Sequence, residues 1–179
     1  MATNSFLQRV IGAVSLDVAI YEEVEADRGA TKQACAVVVL SSLAAGIGAR
    51  GFGGSSPIAI GFFTIVALIA WAAWALLTFQ IGGRLMREPQ TQVDVGELLR
   101  TTGFATAPGL LRIFGVLPGV TIPTFALTAV WMLAAMIVAV RQALDYTSTT
   151  RAIVVCVLGW ALAIALAIGV GSFFGQTVH

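Results

Sequence analysis

A single arginine lies inside a strongly apolar stretch of the sequence. Residues 101–123, TTGFATAPGLLRIFGVLPGVTIP, are apolar enough to enter a bilayer, yet they hold Arg112 among three prolines and four glycines. In a helix that starts at Thr101, Arg112 lies about 16 Å deep, past the middle of a hydrocarbon core of about 30 Å. Because a long guanidinium side chain at that depth snorkels towards lipid phosphate, we predict that Arg112 anchors a lipid or another anion.

The same stretch supports a second interpretation, in which it forms a binding site for a solute. Pro108 removes one backbone donor and clashes with the preceding turn, so Pro108-Gly109 is expected to break the helix. Some transporters build an anion site from a broken helix that carries an arginine. A small-solute or lipid transporter that uses this broken segment and Arg112 therefore stays open as the alternative function.

Carboxylates cluster in the segment YEEVEAD, residues 21–27. Side chains three or four residues apart share one helix face, and such a face can hold a divalent metal or a partner. More often it is a solvated face that pairs with nearby cations, which the sequence offers at Arg84, Arg100 and Arg141. We expect pairing of this kind, and we predict neither a metal site nor a cofactor.

The side chains that most enzymes need are missing from the apolar segments. The only histidine is His179, and the serines of GGSS, residues 53–56, have no histidine partner for nucleophilic catalysis. Proton relays, haem ligation and zinc hydrolysis lack their usual groups as well. The sequence therefore predicts a protein that is not an enzyme and has no catalytic residue.

Composition identifies the class of protein that must position these residues. Of the 179 residues, 58% are hydrophobic and 11% are charged, which is typical of an integral membrane protein. The formal net charge is +1 and the only lysine is Lys32, so the chain has no basic run for nucleic acid. Membrane lipids are the expected surroundings, and nucleic acid is not an expected partner.

Hydropathy predicts an all-α bundle of five transmembrane helices, preceded by a short amphipathic helix. Residues 1–30 form the amphipathic and acidic segment, and residues 31–179 form the transmembrane domain. Helix-start signals support the boundaries, with Ser56-Pro57 before the second span and a capping box, Asp94 and Glu97, before the third. The five predicted spans are 33–49, 58–79, 101–118, 123–142 and 152–174.

The distribution of charge predicts the orientation. Eight of the ten basic residues fall on one side of this arrangement, and only Arg50 and Arg112 fall on the other. The positive-inside rule therefore places the amino terminus in the cytoplasm and His179 outside. All nine carboxylates also lie on the cytoplasmic side, which becomes a charged face. The residues chosen to represent that face are Glu22, Glu23, Asp27, Arg84, Arg100, Arg141 and Asp145.

Two helix patterns predict packing. Before the first span, an apolar stripe at steps of four and three predicts one amphipathic helix, on the inner leaflet or under the bundle. Its residues are Leu7, Ile11, Val14, Val18 and Tyr21. In the fifth span, small residues at steps of four predict a close-packing ridge inside the bundle, with a homo-oligomer or a partner helix as the alternative. The ridge residues are Gly159, Ala163, Ala167, Gly171 and Gly175.

Three segments of this chain resemble the bacterial branch of the Yip-domain family. They are YEEVEADRGATKQA before the first span, GELLRTTGFATAPGLLRIFGVLP through the third, and WMLAAMIVAVRQALDYTSTTRAIVVCVLGW across the fourth and fifth. Eukaryotic members of that family are five-span proteins named for interacting with Rab-type GTPases. The resemblance implies a cytoplasmic amino terminus, an external carboxyl terminus and, for this branch, the bacterial cytoplasmic membrane. It brings no catalytic residues with it.

The predicted function follows from the charged face and the missing catalytic groups. We expect a non-enzymatic membrane scaffold, adaptor or accessory subunit that acts through its cytoplasmic face. The expected partners are membrane lipids and either another membrane protein or a second copy of the chain. The sequence names no particular partner or substrate.

Overall fold

The computed structural model describes residues 4–52 and 56–175, and the side chains of residues 4–50 and 56–162. The regular elements of that part are all helical and it has no strand, which confirms the all-α prediction. The α-helices are connected or extended by two 3-10 helices, Ala49–Phe52 and Ala107–Val116, and by one π-helix, Phe79–Leu85. The α-helices are α1 (Phe6–Val14), α2 (Val18–Ala26), α3 (Ala30–Gly48), α4 (Pro57–Thr78), α5 (Val95–Phe104), α6 (Thr121–Ala143) and α7 (Thr149–Gly175).

Three helices are long and apolar enough to cross a membrane, as judged by length and composition within the described chain. They are Ala30–Gly48, Pro57–Leu85 and Thr121–Ala143, which coincide with the first, second and fourth predicted spans. The third predicted span falls on α5 and the 3-10 helix Ala107–Val116. The fifth falls on α7, whose part Thr149–Leu162 is a shorter apolar helix. The membrane character is thus supported, and the number of five spans stays a prediction.

Local capping chemistry explains where two of the helices begin. Ser56 Oγ accepts a hydrogen bond from the Ala59 backbone N–H at 3.2 Å, and Pro57 occupies the first turn of α4. At α5, Asp94 and Glu97 form the reciprocal capping box, with both hydrogen bonds at 2.8 Å. Both predicted helix starts are confirmed.

The N-terminal segment corrects the prediction of one continuous amphipathic helix. Leu16 has a left-handed backbone, with φ of 60°, and the chain turns there between α1 and α2. Of the predicted apolar stripe, Tyr21 is fully buried, whereas Leu7 and Ile11 are 65% and 56% exposed, and contact of the stripe with the inner leaflet stays a prediction. Arg9 is 1% exposed, because α2 folds back on α1 and brings carboxylates to it. We call this pair of helices, Phe6–Ala26, the N-terminal hairpin.

The turn of the N-terminal hairpin lies beside the middle of α6. Trp131 Nε1 donates a hydrogen bond to the carbonyl oxygen of Val14 at 2.8 Å, and Trp131 is about 18 Å of helix away from Ala143, where α6 ends. Near that end of α6, Gln142 Nε2 donates to Glu22 Oε1 at 2.9 Å. The hairpin therefore covers the half of α6 that ends at Ala143.

The main core joins the N-terminal hairpin to the middle of the bundle. Small and medium apolar side chains from α1, α2, α3, α5, α6 and the 3-10 helix Ala107–Val116 contribute to it. Because many of these side chains are alanines, the helix backbones lie close together. Its buried members include Val10, Ala13, Tyr21, Val24, Ala34, Val37, Phe104, Ala107, Ala135 and Ala139.

Candidate functional site

The loops predicted to be cytoplasmic meet at one end of the bundle. Thr91 Oγ1 donates to the carbonyl oxygen of Leu144 at 2.8 Å, which ties the loop after α4 to the loop after α6. Arg100 Nε donates to the carbonyl oxygen of Val24 at 3.0 Å, which ties α5 to α2. We call this surface, residues 22–28, 84–100 and 141–151, the charged end. These ranges contain all seven residues chosen from the sequence to represent the charged face, of which Arg100 is buried, and the cytoplasmic position of this end stays a prediction.

Arg9 is the buried anchor of the N-terminal hairpin. Its side chain is 2% exposed, and Nη2 lies 2.8 Å from Glu23 Oε1 and 2.8 Å from Asp27 Oδ2. Nη1 donates to Gln33 Oε1 at 2.9 Å, so the same guanidinium also reaches α3. Hydrogen bonds from Arg9 and from the Gly29 backbone hold the pKa of Asp27 below its usual range. One side chain therefore joins α1, α2 and α3.

The sequence interpretation of this acidic segment needs correction. The expected cation partners were Arg84, Arg100 and Arg141, but within the described chain the ion pairs of Glu23 and Asp27 are made with Arg9. Arg100 is buried and donates to main-chain oxygens of α2 instead, including that of Glu25 at 2.9 Å. These carbonyls lie in the last turn of α2, where a cation is favourable.

Glu88 joins two loops of the charged end. Its carboxylate is largely buried, lies 3.2 Å from Arg151 Nε, and accepts from Thr147 N at 3.3 Å and Thr147 Oγ1 at 3.1 Å. Burial alone would raise its pKa, but these hydrogen bonds and the charge of Arg151 hold the pKa of Glu88 below its usual range. The loops after α4 and α6 are therefore fixed to each other by an ionised carboxylate.

Glu25 differs from Glu88 because other carboxylates lie near it. Burial and the nearby charges of Asp145 and Glu97 raise its pKa to about 7, although Arg100 acts in the other direction. Glu22 adds to the repulsion. At neutral pH this side chain is therefore partly protonated, and the charge of the charged end varies with pH.

The remaining predicted residues are exposed on the charged end. Arg84 stacks over Phe79 with its Cζ 5.1 Å from the ring centroid, and Arg141 Nε donates to the carbonyl oxygen of Tyr146 at 3.3 Å. Asp145 has a left-handed backbone, with φ of 51°, and its side chain reaches the Gln92 N–H at 3.4 Å. Within residues 4–52 and 56–175, no group of three or more His, Cys, Asp or Glu side chains is arranged to hold a metal ion.

Arg112 lies on a 3-10 helix rather than on a continuous α-helix. The chain changes from α-helix to 3-10 helix after Phe104, so the predicted break exists and begins slightly before Pro108. With three residues per turn, Gly109, Arg112 and Gly115 share one face. A Cβ on Gly109 would lie 2.1 Å from Ser41 Oγ, and a Cβ on Gly48 would lie 1.9 Å from the carbonyl oxygen of Arg112. This glycine face therefore packs directly on α3.

The guanidinium of Arg112 lies at the wall of an apolar cavity of about 620 Å³. Its Nε donates to Thr128 Oγ1 at 3.2 Å, and its Cζ lies 5.4 Å from the ring centroid of Phe125. No carboxylate forms an ion pair with it among the described side chains. The wall is built by α3, α4, α6 and the 3-10 helix, and includes Val38, Ala45, Phe63, Ala67, Trp71, Trp74 and Met132.

The predicted small-residue ridge is described only at its first member. A Cβ on Gly159 would lie 2.8 Å from Cη2 of Trp74, so α7 packs closely on α4 at this point. The side chains of Ala163, Ala167, Gly171 and Gly175 lie outside the described residues. The ridge as a whole stays a prediction.

Comparison with known proteins identifies a family whose model matches this chain. The model of the Yip1 domain family matches residues 18–170, which include α2 through most of α7. The search of curated proteins and the search of solved structures found no match. Because the family model covers most of the chain, from the N-terminal hairpin to the last helix, this membrane-associated helical protein belongs to the Yip1 domain family.

Proposed function

We propose that this protein is a non-enzymatic integral membrane scaffold or adaptor that binds a partner through the charged end. Members of the Yip1 domain family are generally not enzymes. The main supporting observation is that some charged residues are buried and structural whereas others are exposed. Arg9, Arg100 and Glu88 are buried and hold the loops together. The exposed charged side chains of the charged end include Glu22, Arg84, Arg87, Arg141 and Asp145.

A fixed surface of this kind suits binding. Loops that are already held by buried ties lose little conformational freedom when a partner docks, so more of the contact energy appears as affinity. Exposed charges of both signs, such as Glu22 and Arg141, favour partners with the complementary pattern. Leu85 is 80% exposed between Arg84 and Arg87, which resembles an apolar anchor within a polar rim.

We also propose that the chain crosses the bacterial cytoplasmic membrane five times with the charged end in the cytoplasm. Support comes from the gathering of α2 and of the loops after α4 and α6 at the charged end, which carries six of the nine arginines. A cation-rich end is retained on the cytoplasmic side. A reporter fused after His179 tests this arrangement, because it is active outside the cytoplasm only if the number of crossings is odd.

The test of the scaffold function is affinity purification in mild detergent from native membranes. A double variant, Glu22→Lys with Asp145→Lys, reverses two exposed charges without touching the buried ties. Arg50→Glu is the matched control, because Arg50 is an exposed charge that follows α3 at the opposite end of that helix. We expect wild type and control to retain a stoichiometric partner and the double variant to retain at least tenfold less. Equal recovery with all three proteins contradicts the proposal.

The cavity beside Arg112 favours transport of a solute or lipid as a second candidate function. A transporter needs a polar path, and the described cavity supplies few polar groups besides Arg112, Ser41, Ser42 and Thr106. Solute flux in liposomes distinguishes the two functions. If wild type moves a solute and Arg112→Lys abolishes the flux without unfolding the protein, the transporter replaces the scaffold.

A further inference from the structure

We infer that the cavity beside Arg112 is a binding site for one acyl chain of an anionic phospholipid, whose phosphate pairs with the Arg112 guanidinium. This inference goes beyond the scaffold proposal and does not depend on it. It rests on the shape of the cavity, on the bonding of Arg112, and on the side chains along the wall.

The cavity is elongated along the bundle. On α4 the wall residues run from Ile60 to Trp74, a distance of about 21 Å along a helix, which is about two-thirds of a hydrocarbon core of about 30 Å. On α6 they run from Phe125 to Met136, about 16 Å. A volume of about 620 Å³ is within the usual range for ligand sites of about 300–1,000 Å³. A long, narrow space of this size fits a hydrocarbon chain better than a compact solute.

Arg112 marks one end of that space. Its carbonyl oxygen approaches Gly48 at the end of α3, and its guanidinium lies over Phe125, about 6 Å of helix from the start of α6 at Thr121. The guanidinium is therefore close enough to the membrane interface to meet a phosphate, while the rest of the cavity extends into the hydrocarbon region. A phospholipid has this same arrangement, with one anionic end and a long apolar chain.

The bonding of Arg112 is incomplete within the described chain. Nε has Thr128 as its partner, but no hydrogen bond is formed by Nη1 or Nη2. A guanidinium has five donors, and in an apolar setting each unpaired donor is costly. Phosphate oxygens accept two of them side by side, which is the geometry that a guanidinium matches best. An anion at this position therefore supplies hydrogen-bond acceptors for Nη1 and Nη2 of Arg112.

The wall chemistry favours a lipid over a free anion. Apart from Arg112, the polar groups on the wall are a few hydroxyls and indole nitrogens. Ser42 and Trp71 use theirs for hydrogen bonds within the protein, whereas Trp74 Nε1 is buried without a partner among the described residues. Phe63 is 64% exposed at the rim, so the cavity is open towards the surface of α4 that faces lipid. A hydrated phosphate gains little from such walls, whereas an acyl chain entering from the bilayer buries apolar surface against them.

Native mass spectrometry of the full chain tests the inference. The protein is reconstituted in an equal mixture of phosphatidylglycerol and phosphatidylcholine, extracted in mild detergent, and its lipid adducts are counted. Arg112→Gln removes the charge, and Ala67→Phe fills the cavity. The matched controls are Arg50→Gln, an exposed arginine, and Ala126→Phe, an exposed alanine of α6 outside the cavity wall.

We expect wild type and both controls to retain one phosphatidylglycerol in preference to phosphatidylcholine. Arg112→Gln should lower that preference at least tenfold, and Ala67→Phe should lower the binding of both lipids. Unfolding temperature and size-exclusion volume show whether each variant is folded, and Ala45→Leu replaces Ala67→Phe if the latter is not. An unchanged preference in folded Arg112→Gln overturns the inference. Competition by inorganic phosphate alone, together with unchanged binding in the filled variant, overturns it in favour of a simple anion site.

Discussion

Replacing Gly48 by alanine should strain the contact between α3 and the 3-10 helix Ala107–Val116. The added Cβ would lie 1.9 Å from the carbonyl oxygen of Arg112, against about 3.4 Å for an ordinary contact, so one backbone must move by about 1.5 Å. The atom that is struck belongs to the main chain and cannot rotate away, and Phe125 closes the other side at 3.2 Å. Overpacking of this kind costs about 1–3 kcal/mol, and we expect the upper end of that range.

Thermal unfolding in detergent, followed by tryptophan fluorescence, measures this cost. About 3 kcal/mol lowers Tm by roughly 6–12 °C for a chain of this size. Gly61→Ala is the matched control, because it also adds one methyl group inside a helix but meets nothing within 4 Å. We expect the control to leave Tm unchanged or slightly higher, since alanine favours helix. If Gly48→Ala unfolds within 2 °C of wild type (a threshold of roughly 1 kcal/mol or less), the close approach of α3 to Arg112 is wrong.

Four further predictions concern the hairpin, the charged end and α7. Glu25→Gln should raise Tm at pH 8 and leave it nearly unchanged at pH 4. The wild-type carboxyl has a pKa of about 7 when folded and 4.5 as its ordinary value, so it destabilises the fold increasingly as pH rises between these values. A Tm at pH 8 equal to that of wild type contradicts this prediction. Arg9→Met should lower the free energy of unfolding by about 2 kcal/mol. This is less than the ~3–5 kcal/mol for breaking a fully buried pair, because the freed carboxylates become hydrated. An unchanged Tm would count against the anchoring role of Arg9. Ile11→Cys should resist a membrane-impermeant maleimide that labels Arg28→Cys, since the 56% exposed apolar side chain of Ile11 is expected to face lipid, and equal labelling rates would place it in water. Gly159→Leu should lower Tm because its Cβ position is 2.8 Å from a tryptophan ring, whereas unchanged stability means that this face meets lipid.

The features that were predictable from sequence are those determined by near neighbours. The helix starts at Ser56 and Asp94 depend on side chains within three residues, so the local sequence was sufficient to predict them. Apolar composition over about 20 residues likewise identified α3, α4 and α6 as candidates to cross a membrane. The position of the charged end followed from the same division of the chain into apolar and charged segments.

The features that sequence reasoning missed depend on contacts between distant residues. The pairing of Arg9 was missed because its carboxylate partners, Glu23 and Asp27, reach it only after the chain turns at Leu16. Arg112 was placed by assuming an α-helical rise, whereas the segment is a 3-10 helix with three residues per turn. One local signal was available, because Gly109 and Gly115 are six residues apart, which is two turns of a 3-10 helix. The cavity needed four helical elements to be assembled and had no signal in any one of them.

Site-specific photo-crosslinking in native membranes shows whether a partner binds at the charged end. A photoreactive amino acid placed at Glu22, Leu85 or Asp145 reports on the charged end, and one placed at Arg50 or Ile122 reports on the opposite end of the bundle. We expect the first three positions to give the same discrete adduct and the other two not to give it. Adducts of equal yield at both ends, or none at the charged end in membranes where the protein is intact, would contradict a scaffold that acts through this surface.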